Sequence, residues 1–178
     1  MRGETNLRKK IEDYSYGLVD ILADNTSSKV YKGIRENTKE TVAIKVIDIK
    51  GFKNKQNKKA LEMEIDVLRK VHHSNILKCL DVYSTFNNCY IITEYCEGGD
   101  LKSVLEQRKT KYTNAEAISI FKDVYKGYKY LFLSGYLHRN IDPSNILIKN
   151  GEYKLSDFGT ASKELDLPIK IDETITAS

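Results

Sequence analysis

The hydrophobic pattern changes its period near the middle of the chain, and this change restricts the possible folds more than any other feature. In the first half, stretches such as "SKVYKGIRE" and "ETVAIKVIDI" are rich in β-branched residues and bounded by charge, which is typical of strands. The segment "ALEMEIDVLRKV" instead has apolar residues at i, i+4 and i+7, which predicts an amphipathic helix. In the second half, Thr113 and Glu116 form a capping box before a helical pattern that continues to Ser134. The pattern predicts an α+β chain.

Several shorter elements complete this prediction. "YGLVDILADN" is a further strand, and "ILKCLDVYSTFNNCYIITEY" is expected to form two strands around a polar turn. Asp100 can cap a short helix, and Gly135 is placed to end the long one. "NILIKNGEYKLS" predicts a hairpin around Asn150 and Gly151. Residues 1–13 are mostly charged or polar, so they are expected to form a loose lead-in.

Composition excludes several classes of protein. The chain has 178 residues, enough for one domain or two small lobes. Its 29 basic and 25 acidic residues give a net charge of +4, too mild an excess to indicate nucleic acid. Its three cysteines have no metal-site spacing and indicate a reducing compartment. No apolar run approaches the ~20 residues of a membrane helix. We therefore expect a soluble, cytoplasmic protein.

One charge cluster has two interpretations. "KGFKNKQNKK" contains five lysines and no acid. Such a run usually forms a solvated loop, and the alternative is a surface for an anionic partner.

Four short motifs occur in a fixed order along the chain. They are "VAIK" ending at Lys45, then Glu64 in the first helix, then "HRN" ending at Asn140 with Asn145 five residues later, and "DFG" beginning at Asp157. This set resembles the signature of the eukaryotic protein kinases, of the serine/threonine type, over most of the chain. The resemblance implies a two-lobe fold. An antiparallel N-lobe with one helix, plus the hinge, would span 14–96, and a partial, mainly helical C-lobe would span 97–178.

The resemblance also implies a site for ATP and Mg²⁺. Lys45 would contact the α- and β-phosphates and pair with Glu64, while Asn145 and Asp157 would bind Mg²⁺. Phe158 would pack under the first helix, in line with Leu68 and His138. Six further positions would surround the adenine, with Thr93 as the gatekeeper of a back pocket: Val30, Ala43, Thr93, Glu94, Cys96 and Leu147.

The phosphate-covering loop departs from the family pattern. Counting back from Val30, the three glycine positions fall on Ala23, Asn25 and Ser28. Glycine lets backbone N–H groups come close to phosphates at φ angles that other residues avoid. We therefore expect these three residues to border the nucleotide and to weaken its binding.

The catalytic loop departs in two further places. Asn140 stands where the family has its catalytic Asp, and losing a positioned base typically costs ~10²–10⁴ in rate. Asp142 stands where serine/threonine kinases usually have Lys, so a negative charge replaces a positive one near the transferred phosphate. Asp142 is displaced by two positions from the missing base, which makes it a poor substitute.

These departures lead to three hypotheses. In the first, the chain is a pseudokinase that binds ATP and Mg²⁺ and acts through a protein partner. In the second, it is a weak serine/threonine kinase that phosphorylates proteins, and in the third it is a non-catalytic, truncated fragment. The chain is expected to end inside the activation segment, leaving an apolar face of the long helix open to a partner or to self-association. No contact with nucleic acid or membrane is expected.

Overall fold

A six-stranded antiparallel sheet forms the first half of the molecule. The structure is a computed structural model that describes residues 7–25, 28–52 and 54–163. The strands lie in the order β1-β2-β3-β4-β6-β5, and every neighbouring pair is antiparallel. Their bounds are β1 Arg8–Ile11, β2 Tyr14–Asp24, β3 Ser28–Arg35, β4 Thr41–Asp48, β5 Cys79–Ser84 and β6 Asn88–Glu94. The predicted strand-rich half is confirmed.

Helix α1 (Lys55–Lys70) connects β4 to β5 and packs against one face of the sheet. It begins five residues before the predicted "ALEMEIDVLRKV", because Asn54 caps it and accepts a hydrogen bond from the Gln56 N–H at 2.8 Å. The lysines at 55, 58 and 59 are therefore helical and exposed, so the expectation of a loop is wrong for them. Lys53 lies outside the described residues.

The alternation of side chains along β4 separates two hydrophobic cores. Val42 and Ile44 are fully buried on one face, in a cluster with tyrosines of β2 and β3. Ala43 and Lys45 point to the opposite face, towards the cleft below the sheet. The larger core lies on that side and joins the sheet to α1 and to the second half of the chain. The period of two thus fixes which residues of β4 border the cleft.

The second half of the described chain contains two helices and short strands. Its elements are α2 Leu101–Gln107, α3 Asn114–Leu133, β7 Tyr136–Leu137, β8 Ile146–Lys149, β9 Glu152–Leu155 and β10 Ser162–Lys163. β8 and β9 pair as a hairpin whose turn residues, Asn150 and Gly151, have φ angles of 49° and 79°. These left-handed angles explain the Asn-Gly pair and confirm the predicted turn. Gly135 follows α3 with a φ of 83°, as expected of a helix-ending glycine.

The N-terminal end differs from the prediction. Residues 8–11 form β1, which pairs with β2 from Ile11 opposite Tyr14 to Arg8 opposite Gly17. The Arg8 guanidinium donates a hydrogen bond to the Ser15 hydroxyl at 2.9 Å. This bond fixes the first residue of β1 against β2. The expected loose lead-in over residues 1–13 is therefore wrong for 8–11, because a tertiary pairing orders a locally polar segment. Residues 1–6 and 164–178, which include the predicted activation segment, lie outside the described ranges.

One face of α3 is apolar and open. Ile118, Phe121, Tyr125 and Leu133 have exposed side chains, with Leu133 the most exposed at 72%. The rings of Phe121 and Tyr125 stack at a centroid distance of 6.1 Å. The opposite face, which includes Leu131, is buried in the core. None of the helices in the described part of the chain is long and apolar enough to cross a membrane.

The capping box of α3 should stabilise the folded protein at neutral pH and lose this effect at acid pH. The Thr113 backbone N–H, Arg108 and the Thr113 hydroxyl all bond to the Glu116 carboxylate and hold its pKa at about 2. Because the folded pKa lies below the reference value of 4.5, this contribution is full above pH 4.5 and is lost as pH falls towards about 2. The melting temperatures of the natural protein and Glu116→Ala should therefore converge over that window. Glu116→Gln is the control that does not titrate, and an unchanged gap at low pH would contradict the prediction.

Candidate active site

A cleft with a cavity of about 340 Å³ lies between the sheet and the second half of the chain. Strands β2, β3 and β4 form its upper wall, and β8 forms its floor at Leu147. The hinge that follows β6 closes one end, while Lys45 and Asp157 border the other. The cleft brings together nearly all the predicted nucleotide and metal positions: Ala23, Asn25, Val30, Ala43, Lys45, Glu64, Thr93, Glu94, Cys96, Asn145, Leu147 and Asp157.

An ion pair joins the sheet to α1 at the inner end of the cleft. The Lys45 Nζ lies 2.6 Å and 2.9 Å from the two carboxylate oxygens of Glu64, and 3.9 Å from Asp157 Oδ1. Glu64 is buried, so its pairing with Lys45 compensates for its lost hydration. The pair holds a long, flexible cation at one point in the cleft, facing Asp157.

Two oxygen-bearing side chains are suited to a divalent cation. The Asn145 amide donates from Nδ2 to the Asn140 carbonyl at 3.1 Å, which leaves its own carbonyl oxygen for a ligand. Asp157 has a φ of 58°, a left-handed conformation that Asp tolerates better than most residues. The described residues contain no group of three or more His, Cys, Asp or Glu side chains arranged for a metal ion. One or two protein oxygens completed by phosphates and water are what Mg²⁺ prefers, so the residues fit Mg²⁺ bound together with a nucleotide.

Phe158 and His138 form the support beneath this site. Both are fully buried, and their ring centroids are 5.2 Å apart. His138 Nδ1 accepts the Asn140 N–H, and its Nε2 lies 3.0 Å from the Ser156 carbonyl. Burial lowers the pKa of His138, so the ring is neutral and donates to that carbonyl. Leu68 belongs to the same core as Phe158, as predicted, and His138 is architectural.

Apolar side chains line the part of the cleft next to the hinge. Thr93 is buried, and Leu68 and Ile91 line the cavity beside it, which agrees with a back pocket behind a small gatekeeper. Burial raises the pKa of the Cys96 thiol to about 12, so this cysteine is an unreactive part of the wall.

Sequence reasoning missed several residues that border this cleft. Leu22 and Leu77 line it, as does Asp100, which had been interpreted only as a helix cap. Leu22 directly precedes the first glycine position, and Ile91 lies two residues before Thr93 on the same face of β6. Period-two alternation was therefore a signal that could have identified Ile91.

The three predicted glycine positions carry side chains and lie around the facing ends of β2 and β3. Ala23 pairs with Val30 across the two strands, and the Asn25 N–H donates to the Ser28 carbonyl at 2.9 Å. Ala23 and Asn25 line the main cleft. Ser28 lies instead on a smaller neighbouring cavity, of about 130 Å³, beside Phe52 and Gly159. Ser28 is thus the predicted nucleotide contact that the structure does not bring to the main cleft.

The two altered positions of the catalytic loop have different surroundings. Asn140 is exposed, and its backbone carbonyl holds Asn145. Asp142 caps the 3-10 turn Pro143–Asn145, and its Oδ1 accepts hydrogen bonds from the Ser144 N–H at 2.9 Å and the Ser144 hydroxyl at 2.5 Å. These bonds lower the pKa of Asp142. Asp142 therefore stabilises the turn that presents Asn145, which is a structural reason for a carboxylate at this position.

This two-lobe arrangement, with its paired Lys45 and Glu64 and its buried Phe158, defines a protein-kinase fold. The family model described as "Protein kinase domain" matches residues 16–172. The chain belongs to the protein kinase family.

Its relatives are much longer proteins. "Cell division control protein 7" of Schizosaccharomyces pombe is 37% identical over 154 residues, covering 86% of this chain and 14% of that protein. "Serine/threonine-protein kinase TIO" of Arabidopsis thaliana is 35% identical over 152 residues, covering 85% of this chain and 11% of that protein. "Calcium/calmodulin-dependent protein kinase type 1" of Macrobrachium nipponense is 33% identical over 159 residues, covering 86% of this chain and 45% of that protein. The chain spans less than half the length of each.

Replacing Ala23, Asn25 and Ser28 together by glycine should strengthen ATP binding. Removing the three side chains lets the loop backbone approach the phosphates, for which we expect a gain of about tenfold. Isothermal titration calorimetry with ATP and Mg²⁺ measures this gain. The control is Asn37→Gly with Thr38→Gly, in the exposed turn between β3 and β4. An equal change in the control, or no gain in the triple variant, would contradict the explanation.

Proposed function

We propose that this kinase domain binds ATP with Mg²⁺ and transfers phosphate poorly or not at all. The observation that carries the proposal is Asn140, a neutral amide at the position where the family has its catalytic carboxylate, in a loop that retains Asn145, the residue expected to bind Mg²⁺. The domain then acts by binding, with the nucleotide as a ligand and a protein as its partner.

The nucleotide part of the proposal is supported by the cleft. Lys45 would contact phosphate oxygens, and its cation is held in place by Glu64. Asn145 and Asp157 would hold Mg²⁺, which supplies positive charge to the phosphates when it is bound. Val30, Ala43 and Leu147 would enclose the adenine, and the backbone of Glu94 and Cys96 would provide its hydrogen bonds.

The proposal that phosphate transfer is weak or absent is supported by the surroundings of Asn140 and Asp142. The Asn140 amide cannot usefully accept a proton from a substrate hydroxyl, a loss of ~10²–10⁴ in rate. The Asp142 carboxylate accepts two hydrogen bonds from Ser144. Accepting a proton as a base would weaken these bonds, which cap the turn that Asp142 begins. Asp142 also brings negative charge to a site for a polyanion.

A weakly active serine/threonine protein kinase is the second candidate. It is favoured by the intact pairing of Lys45 with Glu64 and by the buried Phe158, the arrangement that phosphoryl transfer in this family requires. The third candidate, a non-catalytic fragment without a ligand, predicts no response to ATP at all.

A protein contact is the further part of the proposal. The open face of α3, formed by Ile118, Phe121, Tyr125 and Leu133, would bury apolar surface against a partner or a second copy of the chain. We assign the domain to the cytoplasm, without nucleic acid or membrane contacts.

ATP with Mg²⁺ should raise the melting temperature of the domain, and labelled ATP should give no transfer to a generic protein substrate. Lys45→Met is the matched control, because it removes the phosphate-binding cation and retains a long apolar stem. This variant should lose the thermal shift. Binding without transfer supports the proposal, while label that disappears in Lys45→Met would establish the weak kinase instead. No shift in the natural protein would favour the fragment.

Restoring both altered residues should create or greatly increase phosphotransfer. We expect Asn140→Asp with Asp142→Lys to gain at least ~10² in rate, because the pair returns a base and a cation to an otherwise assembled site. Asp142→Lys alone is the control, since it loses the turn cap without gaining the base. If the double variant binds ATP and stays inactive, the altered residues are not what limits transfer.

A further inference from the structure

A second buried carboxylate lies behind the hinge. Glu94, the last residue of β6, is as buried as Glu64, with 7% of its surface exposed. Its Oε1 accepts a hydrogen bond from the Lys78 N–H at 2.9 Å and forms an ion pair with Lys154 Nζ at 3.1 Å. Its Oε2 accepts one from Lys149 Nζ at 2.9 Å. Three groups from three segments of the chain thus converge on one carboxylate.

The two lysines extend this cluster into the second half of the chain. Lys149 ends β8 and Lys154 lies in β9, so both belong to the hairpin under the cleft. Lys154 is itself buried, and its Nζ also donates to the Ser74 carbonyl, in the loop between α1 and β5, at 2.6 Å. The cluster therefore connects the N-lobe hinge, the N-lobe loop and the C-lobe hairpin.

The charges in this cluster are costly to bury and well compensated. Burial alone would raise the pKa of Glu94, but the bonds from Lys149, the Lys78 N–H and Lys154 hold it below its ordinary value. Removing Glu94 leaves the buried Lys154 without its carboxylate, which is strongly unfavourable. The two contacts that cross between the lobes are those of Lys149 and Lys154 with Glu94.

The relative position of the lobes matters because the hairpin carries the metal-binding residues at its two ends. Asn145 directly precedes β8, and Asp157 follows β9 by two residues. Glu94 lines the cleft at the adenine end. A ligand that reaches from the hinge to both Asn145 and Asp157 is thus bound by elements whose spacing the cluster fixes.

We propose that Glu94, Lys149 and Lys154 form an inter-lobe clamp that sets the hinge at a fixed distance from the metal-binding hairpin. The clamp deepens the proposed function, on which its ligand-binding consequence rests. It makes these three side chains positioning residues, because they act through the hinge backbone and through Asn145 and Asp157. Its effect should be greatest for a ligand that spans both lobes, namely ATP with Mg²⁺.

The neighbouring backbone contacts allow the clamp to be opened without unfolding the hairpin. The Gly98 N–H donates to the Ile148 carbonyl at 3.0 Å, and the Ile148 N–H donates to the Gly99 carbonyl at 2.9 Å. The Leu155 N–H donates to the Asn75 carbonyl at 2.9 Å, and the Leu77 N–H donates to the Leu155 carbonyl at 2.9 Å. These bonds remain possible in side-chain variants, and their exchange rates report on clamp opening.

The test uses Glu94→Gln and Lys149→Met in the whole chain, with Glu62→Gln and Lys58→Met as controls. The control pair is exposed on α1, with its charges 3.8 Å apart, and belongs to neither the hinge nor the hairpin. Hydrogen exchange without nucleotide is measured first. The amides of Leu77, Ile148 and Leu155 should exchange about tenfold faster in the clamp variants, while Ile44 in the sheet and both controls should not change.

Nucleotide binding is measured next, as the ratio of ATP affinities with and without Mg²⁺. This ratio should fall about tenfold in the clamp variants, because the hinge and the metal-binding residues are no longer held at a fixed distance from each other. A purely stabilising role would lower the melting temperature and leave the ratio unchanged, which would overturn the clamp. Unchanged exchange at Leu77, Ile148 and Leu155 would overturn it as well. If the natural protein binds no nucleotide, the proposed function fails, and the exchange result alone decides the clamp.

Discussion

The ion pair between Lys45 and Glu64 is the interaction on which the rest of the cleft depends. It connects β4 of the sheet to α1, and through the core below α1 it connects both to Phe158. Without Glu64, the Lys45 ammonium would have no buried partner and no fixed position. With it, the cleft has a cation 3.9 Å from Asp157, in the same cavity as Asn145. The pairing is thus both a packing constraint and the main electrostatic feature of the site.

The catalytic loop shows how shape and chemistry can separate in one short segment. Its shape depends on backbone contacts: Asn145 bonds to the Asn140 carbonyl, and the buried His138 accepts the Asn140 N–H. Neither bond requires a carboxylate at position 140. Asp142 adds a cap to the same turn. The loop therefore keeps its form with a neutral amide at position 140 and a carboxylate at position 142, and the proposed loss of phosphate transfer rests on these two side chains.

The two lobes are joined by polar contacts as much as by apolar packing. Glu94 with its lysines lies behind the hinge, and the Glu97 carboxylate accepts the Asn150 N–H at the hairpin turn. Such contacts are directional, so they define one relative position, whereas apolar contacts tolerate sliding. The exposed face of α3 has the opposite character, since it offers apolar area without a directional partner in the described part of the chain. The molecule thus combines a well-defined hinge with an open helical surface.

The sequence by itself determined the class of fold and the order of most elements, through local periodicity, the capping box at Thr113 and the Asn150–Gly151 turn. Its resemblance to the protein kinases implied that Lys45 pairs with Glu64. It also located the chemical departures at Asn140 and Asp142. Tertiary structure alone decided that residues 8–11 form a strand, that Ser28 lies outside the main cleft, and that Asp142 is a cap. It also brought Glu94 together with Lys149 and Lys154, which lie 55 and 60 positions further along the chain. The physical reason is that pairing, burial and side-chain direction depend on neighbours distant in sequence, and no local pattern records them.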